Sequence, residues 1–149
     1  MKVSELMKFE VFTVRPDDMV DRVFFLLSYE KIRHLPVLQG NEVVGIVSDR
    51  DLYKALGPRS RRHSVVRKGG ETALYVIPRR VRHIMRRGVI TVEPDADAAK
   101  AATMMARKKI GALPVVKKGK LVGIVTATDI LLAFARMMRQ SERAERSPA

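Results

Sequence analysis

The apolar residues of this chain alternate between short runs and helical stripes in a fixed order. A short run, "VFTV" (11–14), ends near Pro16-Asp17, a signal for a turn and the start of a helix. Met19, Val20, Val23, Phe24, Leu26 and Leu27 then recur at helical spacing. Two more apolar runs, "LPVL" (35–38) and "VVGIV" (43–47), flank the polar "QGNE" and predict a β-hairpin. "SDRDLYKAL" (48–56) predicts a second helix.

The order then returns. "VITV" (89–92) precedes Pro94-Asp95, and an Ala-rich helical stretch carries Met104 and Met105. "LPVV" (113–116), "KKGK" (117–120), "LVGIV" (121–125) and "TATDILLAF" (126–134) complete it. Residues 3–56 align without a gap to residues 81–134, with identities at Val3/Val81, Met7/Met85, Thr13/Thr91, Pro16/Pro94, Ile32/Ile110, Pro36/Pro114, Gly45/Gly123 and Asp51/Asp129. One copy alone buries too little surface to be secure, so two copies are expected to share a core. The fold class read from this is α/β (α+β): two β-α-β-β-α repeats packed with pseudo-two-fold symmetry, with a groove made twice between them. The expected divisions are repeat 1 at 1–58, a basic and partly packed linker at 59–80, repeat 2 at 81–138, and a charged C-terminal tail at 139–149 that frays. Within the linker the apolar "TALYVI" (72–77) is expected to pack on the body, and "RKGGE" (67–71) to form a loop.

Composition narrows the classes. The chain has 149 residues and is 46% hydrophobic, enough for a core. It has no Cys, hence no disulfide, thiolate nucleophile or thiolate metal site, which fits a cytoplasmic protein. The N-terminus lacks a signal-peptide apolar core, and no uncharged apolar run reaches the roughly 18 residues of a membrane span. A formal charge of +13 attracts polyanions, or serves as a solubilising surface. It gathers in "PRSRRHSVVRKGG" (58–70) and "RMMRQSERAERSPA" (136–149).

Few motifs carry chemistry. His34, His63 and His83 form no metal-spaced pair, and no nucleophile setting or phosphate-binding P-loop occurs, so no enzyme activity is expected. The notable motif is Ser/Thr-x-x-Asp, at Ser48–Asp51 and again at Thr126–Asp129. It is a capping box, the hydroxyl taking the N–H three residues on and the carboxylate reaching back. A helix N-terminus also suits a phosphate, and a carboxylate beside it can take paired hydrogen bonds from the vicinal hydroxyls of a ribose. In "IRHLPV" (32–37) and "IGALPV" (110–115), a Pro inside a strand leaves nearby backbone groups free to read a flat heteroaromatic ring, or the positions before it are only a solvated strand end. Arg33 and His34 face Gly111 and Ala112 in the alignment, so the two copies are chemically unequal. Gly45 and Gly123 inside strands mark either ligand approach or a tight contact between the copies.

The repeated Ile-x-x-Leu-Pro-Val, the Val-Gly-Ile-Val strand and the closing Ser/Thr-x-x-Asp resemble cystathionine-β-synthase (CBS) domains, and the pair resembles a Bateman module. The wording "IRHLPV … GIVSDRDL" is also similar to the N-terminal part of the acetoin-utilisation protein B family. The resemblance implies a regulatory, ligand-sensing protein that binds AMP, ADP or ATP, with S-adenosylmethionine behind them, and that requires no cofactor. It implies that Asp51 and Asp129 hold ribose hydroxyls and that Ser48 and Thr126 meet the phosphate. Thr13 and Thr91, with the backbone around Leu35-Pro36 and Leu113-Pro114, would frame the adenine. Arg33, His34 and Arg50 would bring charge to phosphates, while Gly111, Ala112 and Thr128 hold the matching places in repeat 2. A homodimer of the pair and an unidentified regulated protein are the implied partners. The alternatives are a ligand-free dimerisation adaptor and a nucleic-acid-binding basic protein, the latter with no recognisable motif and only 5% aromatic residues for stacking.

Overall fold

The computed structural model describes residues 1–56, 65–68, 71–74 and 79–147, with the backbone alone at 65–68 and 71–74. The basic residues 58–64 and the end of "TALYVI" lie outside the described residues. The architecture is mixed α+β, with small antiparallel sheets and helices. The chain divides into two compact units, one of residues 11–89 and one of residues 1–10 with 90–149.

In the unit of 11–89, helix α1 (Val20–Tyr29) is followed by strands β1 (His34–Gln39) and β2 (Glu42–Ser48) and helix α2 (Asp49–Leu56). β1 and β2 form an antiparallel hairpin in which Leu35 faces Val47 and Val37 faces Gly45, with a bulge after Val37. Gly40 at φ 62° makes the turn, a conformation glycine adopts without cost. Leu35, Val37 and Val47 bury their side chains with Val14, Val23 and Val81, and Val20 packs on Leu52 beside them. Strands β3 (Val65–Lys68) and β4 (Glu71–Leu74) form a second hairpin. The stretch read as a loop at "RKGGE" thus begins and ends in paired strands, favoured by the β-branched Val65, Val66 and Thr72.

The short strand expected at "VFTV" is a single parallel bridge, Val14 to Val37. Val14 donates to the Pro36 carbonyl and accepts from Leu38. The next residue able to continue that ladder is Pro16, which has no N–H. Val92 bridges to Val115 in the same way, ahead of Pro94.

In the unit of 1–10 and 90–149, helix α3 (Ala98–Lys108), strands β5 (Ala112–Lys117) and β6 (Lys120–Thr126), and helix α4 (Ala127–Arg146) repeat the order. α3 is capped by Asp97, which accepts from the Ala99 N–H, whereas the matching Met19 offers α1 no side-chain cap. The core holds Ala101, Met105, Leu113, Val115 and Val125 together with Val3 and Met7 from the N-terminal segment.

The packed units are therefore not the sequence repeats. The N-terminal segment belongs with repeat 2, and its counterpart, residues 79–89, belongs with repeat 1. Both are tied by the same bonds: Val3 N–H to Ala96 O and Ser4 N–H to Pro94 O in one unit, Val81 N–H to Asp18 O and Arg82 N–H to Pro16 O in the other. Lys8 exchanges two backbone bonds with Ile124, and Arg86 does the same with Ile46. Gly45 and Gly123 lie at these crossings. A Cβ on Gly45 would stand 2.7 Å from Met85 Sδ and 3.1 Å from Arg86 O; on Gly123 it would stand 2.7 Å from Met7 Sδ and 2.8 Å from Lys8 O. Each glycine makes room for a segment from the other sequence copy.

α4 runs 20 residues, so residues 139–146 are helical and not a frayed tail. Arg139, Glu142, Arg143, Glu145 and Arg146 alternate in sign at helical spacing, and the Glu142–Arg146 order is the favourable one. Arg143 and Arg146 also sit in the last turn, where cations suit the helix dipole. Among the described residues, no helix is long and apolar enough to cross a membrane.

Candidate functional site

Each set of sequence-selected residues falls within one unit: Thr13 to Asp51 in 11–89, Thr91 to Asp129 in the other. The hairpin register sets His34 opposite Ser48 and Ala112 opposite Thr126. The Val14 bridge carries Thr13 alongside Leu35-Pro36, and the Val92 bridge carries Thr91 alongside Leu113-Pro114. The chain thus brings a Thr, a Leu-Pro step and a capped helix start together twice.

The capping boxes form at both helices. Asp51 Oδ2 accepts from the Ser48 N–H at 2.9 Å and from its hydroxyl at 3.0 Å, while Asp51 N–H donates to Ser48 Oγ at 3.2 Å. Asp129 Oδ2 accepts from Thr126 N–H at 2.8 Å and Oγ1–H at 3.0 Å. Both aspartates are buried, at 7% and 8% exposure. The boxes fix one oxygen, Oδ2, of each carboxylate.

Pro36 differs from the expectation of a free backbone edge. It is fully buried, and its carbonyl is taken by Val14. The Pro114 carbonyl is likewise taken by Val92. A strand carbonyl beside a proline is still a strong acceptor, and here the neighbouring chain satisfies it.

Charge is placed unequally. Arg33 directs its Nε to Asp49 Oδ2 at 3.2 Å, and the Asp49 N–H donates to the Arg33 carbonyl. In the other unit Ala127 N–H donates to the Gly111 carbonyl, with no side-chain pair in that place. Arg50 and Thr128 are both exposed in the first turns of their helices. Burial pushes His34 below its ordinary value, Asp49 opposing and Arg33 reinforcing the shift. The ring is therefore neutral at pH 7, and positive charge there comes from Arg33 and Arg50.

That shift predicts a pH dependence. The unfolded His34 takes a proton near 6.5, while the folded one resists it. Stability is expected to hold above about pH 6.5 and to be lost as pH falls through and below it. Thermal unfolding from pH 8 to 5 should show the decline, with a shallower slope in His34→Gln. An equal slope in the variant would remove His34 as the cause.

One residue escaped the sequence reading. Arg86, on the segment returned from repeat 2, donates its Nε to Asp51 Oδ1 at 2.9 Å. The available signal was its alignment with Lys8, a second cation one residue after the repeated Met. Among the described residues, no cluster of His, Cys, Asp and Glu could hold a metal ion.

Comparison with known proteins agrees with this fold. The model of the CBS domain family matches residues 3–58 and 81–136. A Vibrio cholerae chain assigned as an acetoin utilization protein (AcuB) is 30% identical, with a TM-score of 0.73 over 99% of this chain and 98% of that one. The CBS domain pair of protein MJ0100, solved with 5′-methylthioadenosine and S-adenosyl-L-methionine, is 26% identical, with a TM-score of 0.75 over 92% and 98%. CBSX2, solved with AMP, is 26% identical, with a TM-score of 0.71 over 92% and 98%. The chain spans about half the length of the first curated relatives it matches.

Proposed function

The chain belongs to the CBS domain family, as two copies in tandem, and on that premise we propose that it is a regulatory, non-catalytic module of the cytoplasm whose ligand is an adenosine nucleotide. The observation that carries the proposal is the carboxylate of Asp129. One oxygen is fixed by Thr126, and the other carries no hydrogen bond or ion pair among the described residues. A carboxylate oxygen without a partner of its own is a strong acceptor, and a vicinal diol supplies two donors to it. The adjacent helix N-terminus, with Thr126 and Thr128, suits the 5′ phosphate. Thr91 and Leu113-Pro114 give the base a polar and an apolar neighbour. Asp51, Ser48, Arg50, Thr13, Arg33, His34 and Leu35-Pro36 hold the same places in the other unit.

The complexes of CBSX2 with AMP and of MJ0100 with 5′-methylthioadenosine and S-adenosyl-L-methionine support an adenosine ligand. The charge of +13 favours AMP, ADP or ATP over S-adenosylmethionine. Saturating AMP, at about 100 times Kd, is expected to stabilise the fold by about 2.7 kcal/mol. Calorimetry checks the assignment. Heat of AMP binding that persists unchanged in the Asp51→Ala, Asp129→Ala double variant would sink the ribose role.

A homodimer is the assembly we infer. Leu131, Leu132, Phe134, Met137 and Met138 are exposed on α4, an apolar surface that a second copy would cover. Light scattering gives the mass directly, and a monomer at tens of micromolar would reject it.

A further inference from the structure

The two carboxylates at the centre of the proposed sites are not equally available. Asp51 Oδ2 accepts twice from Ser48, and its Oδ1 accepts from Arg86 Nε at 2.9 Å. Each carboxylate oxygen offers about two lone-pair sites, so Asp51 keeps one acceptor where a vicinal diol needs two. Asp129 Oδ2 is used by Thr126 in the same way, but its Oδ1 has no donor among the described residues. It keeps both.

The cause lies on the exchanged segments. Arg86 and Lys8 occupy matching places, each held by two backbone bonds to the residue after the glycine of its hairpin's second strand, Ile46 or Ile124. Arg carries a donor at Nε, short of the end of the side chain, and Arg86 uses it on Asp51. Lys has only its terminal ammonium, which is compact and strongly hydrated. Lys8 is exposed and makes no ion pair among the described residues. The Asp51 side chain is 6% exposed, while the Arg86 side chain is 55% exposed and can turn outward into water.

We propose that Arg86 is a latch on the first-repeat site. It occupies the acceptor that a ribose would use, so the second-repeat site fills first, and the first fills only when the ligand's hydroxyls displace the guanidinium. The inference rests on the adenosine reading of the two sites and adds their order. A charge-assisted hydrogen bond must be broken at one site and not at the other, so the affinities are expected to differ by about tenfold or more.

Reciprocal swaps test this on the full chain, with adenosine and AMP as probes in titration calorimetry. Arg86→Lys should open the first site, taking the tight stoichiometry from one to two per chain. Lys8→Arg should latch the second site and weaken the tight binding by about tenfold. Adenosine, having no phosphate, separates a latch from a phosphate ligand. If Arg86→Lys weakens AMP but not adenosine, Arg86 holds the phosphate and the latch is overturned. Wild type, Arg86→Lys and Lys8→Arg binding alike would overturn the latch and leave the nucleotide reading standing. No binding of either probe to any of the three would overturn the nucleotide reading, and the latch with it.

Discussion

Val3→Asp is expected to loosen the β5–β6 hairpin, although Val3 precedes even β1. Val3 is 0% exposed and packs with Met7, Leu113, Val115 and Val125. Its amide is bound to Ala96 and that of Ser4 to Pro94. A carboxylate placed there has no partner, and an uncompensated buried charge costs about 3–5 kcal/mol. The loss should fall on the unit that contains Val3. Amide exchange is expected to rise at Leu113, Val115, Ile124 and Val125 before it rises at Leu35, Val37 and Val47. Val81→Asp should give the mirror result, because Val81 is equally buried, among Leu35, Val37 and Val47. Exposure of the first hairpin by Val3→Asp would show that the N-terminal segment packs with its own repeat.

Gly123→Ala is expected to destabilise more than Gly45→Ala. Both new methyl groups meet a methionine Sδ at 2.7 Å, and a flexible thioether can move aside. The backbone cannot. The second contact is Lys8 O at 2.8 Å for Gly123 and Arg86 O at 3.1 Å for Gly45. Those carbonyls accept from Ile124 and Ile46, so moving either one strains a pair of inter-segment bonds. Overpacking of this kind costs about 1–3 kcal/mol, and Gly123→Ala belongs at the upper end. In a domain of this size each kcal/mol lowers the melting temperature by roughly 2–4 °C. Equal melting temperatures for the two variants would mean that the methionines, and not the carbonyls, set the limit.

The β1–β2 and β5–β6 hairpins, the four longer helices flanking them and both capping boxes were legible because each is a local pattern. Short apolar runs, a polar turn and Ser/Thr-x-x-Asp are complete within a few residues, and in each repeat they agree. The exchange of segments was not legible in that way. The alignment of Val3 with Val81 says that they play the same part, but not which hairpin receives either. Gly45 and Gly123, each matched to a repeated Met, carried the hint that something passes close to the strand. Arg86 was missed for the same reason, since its carboxylate partner lies in the other sequence copy. The end of α4 was missed because alternating charge without an apolar stripe reads equally as a solvated tail. Here the Glu142–Arg146 spacing and the helix dipole favour it instead.

The exchange also fixes an order of events during synthesis. Ribosomes deliver the chain from the N-terminus at about 5–20 residues per second. The unit of 11–89 has all its pieces once Val89 has emerged. Val3 and Met7, made ahead of that unit, must wait for β6, which ends at Thr126, before their place exists. A segment made before the unit of 11–89 is thus buried after it, and in the interval Val3 and Met7 stay exposed to solvent.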